Sequence, residues 1–104
     1  MIDIDIKSYT DLYLQTAREE INLIRSSINQ NNPDLKTLHR TSHSLKGQSY
    51  FMKFDEIGDK AKELEDYFRT VADRNLGISE EDKIYINSKV EEIEKLIIAK
   101  NNLS

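Results

Sequence analysis

Leu35-Lys36-Thr37-Leu38-His39-Arg40-Thr41-Ser42-His43-Ser44-Leu45-Lys46-Gly47-Gln48-Ser49-Tyr50-Phe51-Met52 carries the helical period of this chain in its plainest form. Leu35, Leu38, Ser42, Leu45, Ser49 and Met52 recur at spacings of 3, 4, 3, 4 and 3. That is one inward stripe of an amphipathic helix, with small residues interleaved. His39, His43, Lys46, Gly47 and Tyr50 gather on another face, because residues three and four apart are neighbours on a helix. Both histidines and the first glycine of the chain lie in this run. Gly in a helix interior costs about 1 kcal/mol relative to Ala, so a compensating use is expected at Gly47. A gap in the side-chain layer beside His43 opens an approach to its imidazole. Lys46, one turn on, adds a flexible cation suited to phosphate. A bare ring nitrogen, a cation and an open approach suggest a phosphoryl acceptor.

Working outward, the same period recurs. Leu14, Ala17, Ile21, Ile24 and Ile28 predict a helix over about 8–28, with Ser8 or Thr10 as its cap. The polar run Asn29-Gln30-Asn31-Asn32 ends it. Asn32-Pro33 reads as cap and first helical residue of the second helix, about 33–53. Asp55 can cap a third helix, about 55–75, carrying Ile57, Ala61, Leu64, Phe68 and Val71. Asn75-Leu76-Gly77 stops it, with Gly77 available for a left-handed turn. Ser79 and Asp82 make a capping-box pair for a fourth helix, about 79–100, with Ile86, Val90, Ile93 and Ile97 inward. Residues 1–7 alternate like a strand but have no second strand to pair with, so an extended lead-in is expected, with an isoleucine against the bundle. The expected fold is all-α: a single domain over 1–104, an up-down-up-down four-helix bundle.

Composition narrows the function classes. The chain has 104 residues, no Cys, 3 Gly and 1 Pro. Disulfide and thiolate chemistry are excluded, and a turn-rich β sandwich is disfavoured. The net charge of −4 argues against general nucleic-acid binding. No apolar run reaches bilayer length and no signal pattern opens the chain, so a cytoplasmic protein with no membrane partner is expected. There is no Gly-rich nucleotide loop and no room for an ATP-binding domain, so a phosphocarrier fits better than a self-sufficient kinase. His39 and His43 have the i, i+4 spacing of a metal pair. Arg40-Thr41-Ser42 between them lacks the Glu of the metalloprotease pattern, and no third ligand stands nearby, so no metal site is expected.

His43-Ser44-Leu45-Lys46-Gly47 resembles the H-x-L-K-G signature of histidine phosphotransfer (HPt) domains. Gln48-Ser49-Tyr50-Phe51-Met52-Lys53-Phe54 resembles the continuation seen in the N-terminal phosphotransfer domain of chemotaxis histidine kinases. Tyr9 to Glu20 is similar to that family's opening helix. The likeness spans about residues 8 to 75. It implies that His43 is phosphorylated reversibly, on Nε2 if the family holds, with Lys46 beside it. It further implies that Glu65, in Lys62-Glu63-Leu64-Glu65, takes the role of the Glu in the family's H-x-x-E pattern. A carboxylate there fixes the imidazole tautomer, as in the Ser-His-Asp arrangement. Lys62 stands where those relatives often have His, a departure that bears on proton relay. The implied partners are a response-regulator receiver and the ATP-binding domain of a histidine kinase. The implied Mg²⁺ comes with the partner, and the chain has no cofactor of its own.

The remaining candidates are docking residues: His39, Arg40, Gly47, Gln48, Tyr50 and Lys62. His39 fits a place beside the phosphate and equally a plain exposed histidine. Tyr50 and Phe51 read first as half-buried packing residues, although an exposed aromatic near His43 would anchor a partner. Two other functions share these helices: an HPt-like adaptor that docks receivers without carrying phosphate, and a generic helical interaction module.

Overall fold

The computed structural model describes residues 6–102. Four helices follow one another: α1 (Ile6–Ser27), α2 (Leu35–Phe51), α3 (Asp55–Arg74) and α4 (Glu80–Asn102). α1 packs on α2 and α4, α2 on α3, and α3 on α4. The short connections make each helix antiparallel to the next, and the result is an elongated bundle of 54 × 23 × 20 Å. Among the described residues no helix is long and apolar enough to cross a membrane.

The inward stripes meet in one core. Leu14, Ala17, Ile21, Ile24 and Ile28 from the first helix and its exit are buried, as are Leu38 and Leu45, Ile57 to Val71 at their 3/4 spacing, and Ile86, Val90, Ile93 and Ile97. Ser42 and Ser49 are also fully buried in the α2 stripe. Ser42 Oγ donates to the Leu38 carbonyl at 3.0 Å, and the Ser49 and Tyr13 hydroxyls share a hydrogen bond at 2.5 Å. Buried hydroxyls satisfied in this way carry little cost. Gly58 lets α3 approach α2 closely: a Cβ there would stand 2.6 Å from Tyr50 Cε1.

Several helix ends differ from the sequence expectation. α1 runs from Ile6, so Ser8 and Thr10 lie inside the helix and not at its cap position, and Ile6-Lys7 belong to the helix. The expected lead-in otherwise falls on residues 1–5, outside the described residues. α2 is capped by Asp34, not Asn32, and Pro33 precedes the helix. The Asp34 carboxylate accepts from the Lys36 and Thr37 backbone N–H groups and from the Thr37 hydroxyl. α3 has Phe54 at its cap position with no side-chain bond, and Asp55 is already helical. Asn75 takes the left-handed stop at φ 56°, with Gly77 left-handed two residues on. The Ser79–Asp82 capping box forms as expected: Ser79 N–H donates to Asp82 Oδ2 at 2.8 Å and Asp82 N–H to Ser79 Oγ at 3.1 Å.

Phe51 corrects the packing expectation, for it is 82% exposed. α2 ends in a tight turn with Lys53 left-handed and the Phe54 N–H on the Ser49 carbonyl at 2.8 Å. That turn brings Phe54 back onto Tyr13, stacked with centroids 5.0 Å apart. Phe54 takes the interior place, and Phe51 is left outside.

Candidate functional site

The centre of α2's outward face is His43, its side chain 65% exposed. The inward stripe fixes the helix rotation, and that rotation holds the ring at the surface. Across from it on α3, Leu64 and Phe68 are buried, which turns Glu65 onto the flank facing α2. Glu65 is only 3% exposed, and its carboxylate is the hub of the site. His43 Nδ1 lies 2.5 Å from Oε2, and Lys46 Nζ donates to Oε1 at 2.6 Å. His39 Nε2 stands 3.9 Å from the same Oε2.

Burial pushes the Glu65 carboxyl up, but the hydrogen bonds and charges of Lys46 and His43 outweigh it and hold the group below its ordinary value. Glu65 is therefore ionised near neutral pH. An ionised carboxylate only accepts, so the proton in the short bond belongs to His43 Nδ1. In a neutral ring the lone pair is then at Nε2, on the side away from Glu65.

The docking candidates divide. His39 and Arg40 line a groove of about 560 Å³ between α2 and α3, floored by Leu35, Phe68 and Ala72 and reaching His43. Gly47 opens on the other side, in a groove of about 500 Å³ between α1 and α2 that includes Tyr9, Leu12 and Phe51. A Cβ at Gly47 would meet nothing within 4 Å. Gln48 is turned against α1, its Nε2 donating to Ser44 Oγ at 2.9 Å. Tyr50 leans on α3, its hydroxyl donating to Asp59 at 2.6 Å. Lys62 is exposed on α3 and makes none of the contacts to Glu65.

Two residues outside the sequence reading join this region. Arg69 reaches His39 Nε2 at 3.4 Å through Nη2 and Asp66 at 3.3 Å through Nη1. It lies four residues after Glu65, so a search for i, i+4 neighbours of the carboxylate would have found it. Glu20 on α1 meets Ser44 and Gln48; burial raises its carboxyl and those hydrogen bonds offset only part of the rise. No sequence pattern marks Glu20.

The Hpt domain family matches residues 8–99, from the first turns of α1 to near the end of α4. No curated protein and no solved structure matches the chain. Hpt domains work with kinases and receivers in phosphorelay. A match of this extent, on a four-helix bundle, shows that the chain belongs to the histidine phosphotransfer domain family of two-component signalling.

Proposed function

We propose that His43 carries the phosphoryl group, taking it from the ATP-binding domain of a histidine kinase and passing it to the aspartate of a receiver in a chemotaxis-like system of the cytoplasm. The observation that carries this reading is the exposed ring held by the Glu65 carboxylate at Nδ1. In the first transfer the Nε2 lone pair attacks phosphorus while the bond from phosphorus to the leaving oxygen breaks. That oxygen departs with the electron pair, and a nitrogen–phosphorus bond forms. The ring becomes positive as this happens, and Glu65 stands where it stabilises that charge. Handing the group on reverses these changes: the nitrogen–phosphorus bond breaks, its electron pair returns to Nε2, and the receiver carboxylate gains the phosphoryl group.

Lys46 has two uses in this scheme. It neutralises one oxygen of Glu65, and it places positive charge one turn from the developing phosphoryl oxygens. Gly47 leaves the approach to the ring unobstructed, and Arg40 with Lys62 adds cations around the contact. Among the described residues no group of three or more His, Cys, Asp or Glu is placed to hold a metal ion. In this reading Mg²⁺ belongs to the receiver and neutralises the transferring oxygens.

The test is phosphotransfer from a panel of phosphorylated kinases and receivers. The wild-type chain should gain an acid-labile, base-stable phosphate, and His43→Gln should gain none. Undiminished labelling of that variant would remove His43 from the role.

A further inference from the structure

The groove between α2 and α3 is charged unlike the molecule as a whole. The chain carries a net −4, yet Lys36, Arg40 and Arg69 line this groove against a single acid, Asp73. All three cations are exposed. Arg69 shares its charge with Asp66 at 3.3 Å. Among the described residues Lys36 and Arg40 are in no ion pair, and Arg40 acts on the Asp34 carboxylate through charge alone. A rise of 1.5 Å per residue puts Arg40 about 4.5 Å and Lys36 about 10.5 Å before His43 along the helix axis. Free positive charge therefore runs away from the ring along this groove. The groove on the other side of His43, with Tyr9, Leu12 and Gly47, has no charged lining residue.

The two partners of His43 keep different groups after giving up the phosphoryl group. A receiver keeps one carboxylate, beside the Mg²⁺ of our reading. A kinase keeps ADP, which stays an anion even with one Mg²⁺ bound. We propose that the α2–α3 groove seats the polyphosphate chain of the nucleotide held by the kinase's ATP-binding domain, with Lys36 and Arg40 facing the phosphates that remain on ADP. This rests on His43 being the phosphoryl acceptor. In the step, Nε2 attacks the γ-phosphorus and a nitrogen–phosphorus bond forms. The bond from that phosphorus to the β–γ bridging oxygen breaks, and its electron pair leaves on that oxygen, now part of ADP. The Nδ1–H stays on His43, facing Glu65. Negative charge grows on the departing oxygen as the bond breaks, and fixed cations on that side favour its departure. The same cations speed capture of a polyanion, an effect that salt weakens. Between them the apolar floor of Leu35, Phe68 and Ala72 gives the domain that carries the nucleotide a surface to rest on.

Two measurements on the full chain test this. The first is calorimetric binding to the ATP-binding domains of the kinase panel, each empty and then loaded with a non-hydrolysable ATP analogue. The analogue should tighten the wild-type complex about tenfold, the low end of electrostatic effects on association. That gain should shrink with added salt and vanish in Lys36→Gln/Arg40→Gln. Both side chains are exposed, so circular dichroism should show the variant folded. An equal gain in wild type and variant, or no gain with any domain, would overturn the proposal. The second compares a kinase and a receiver that both label the wild type. Lys36→Glu should lower kcat/KM for labelling by the kinase about tenfold more than for labelling by the receiver. Equal losses, or a larger loss with the receiver, would take the groove away from the kinase. The binding measurement involves no transfer, so a lost nucleotide effect and a failure to label His43 are separate results.

Discussion

A carboxylate buried at the edge of a helical bundle needs a reason to stay charged. Glu65 has two, Lys46 and His43, each on its own oxygen. Hydrogen bonds to ionised partners offset the cost of taking a carboxylate out of water. The folded carboxyl lies below its ordinary value, so its contribution to stability is complete above that value and fades as pH falls through it. Between about pH 6 and pH 8 the acceptor therefore remains ionised. Glu65→Gln keeps the shape and removes the charge. It should leave helix content unchanged and slow single-turnover transfer from a phosphorylated kinase by about a hundredfold, the low end for an oriented acid–base pair. Transfer at the wild-type rate would show that the ring needs no carboxylate. His43 and Lys46 were legible from spacing on one helix. Glu65 was reached through the family likeness, since it joins the pair only across a helix contact. Its tie to His39 and Arg69 was not legible, because it depends on the rotation of α3 against α2.

The α3–α4 corner shows what sequence patterns reveal about elements and where they stop. Asp82, buried in the first turn of α4, accepts from the Tyr67 hydroxyl at 2.6 Å, from Arg74 at 2.8 Å and from the Ser79 N–H. Tyr67 in turn stacks on Tyr85 with centroids 4.2 Å apart. Burial pushes the Asp82 carboxyl up, but the bonds from Tyr67, Ser79 and Arg74 outweigh it and bring it down to about 2. A depressed carboxylate stabilises the fold above its unfolded value and loses that effect as pH falls towards the folded one. The difference from an ordinary Asp corresponds to about 2 kcal/mol at neutral pH. Asp82→Asn should lower unfolding free energy in urea by about that amount at pH 7, and the gap should close as the pH approaches about 2. A gap independent of pH would place the loss in packing and not in charge. The box of Ser79 and Asp82 was legible because both halves lie within four residues. The start of α2 was not, because Asn32 and Asp34 are both good caps. Thr37 settles it, its hydroxyl and N–H both bonding to Asp34. Phe51 was misread because a half-turn of chain beyond it puts Phe54, not Phe51, against Tyr13.

At the scale of the whole molecule, His43 sits on a ridge between two unlike grooves. One is apolar, with Tyr9, Leu12 and Phe51 exposed along α1 and α2. The other has an apolar floor and a rim carrying Lys36, Arg40 and Arg69. Gly47 belongs to the apolar groove, one turn from His43, and it differs in kind from Gly58. A Cβ at Gly58 would strike Tyr50, so that glycine serves the bundle itself. Beyond its own helix backbone and chain neighbours, a Cβ at Gly47 would meet nothing within 4 Å, so packing in the bundle does not require glycine there. The cost of about 1 kcal/mol in helix propensity is then offset by something outside the chain, and in our reading that is the receiver surface as it closes on the ring. Gly47→Arg puts the two accounts against each other. The variant should keep its helix content and unfold in urea no more easily than the wild type, with a gain of up to about 1 kcal/mol from propensity. Transfer from phosphorylated receiver to His43 should fall at least about tenfold, through a weaker complex, since 1.4 kcal/mol of lost contact suffices. A variant that folds as expected and still transfers at full rate would mean that the bare patch at Gly47 lies outside the contact between carrier and receiver.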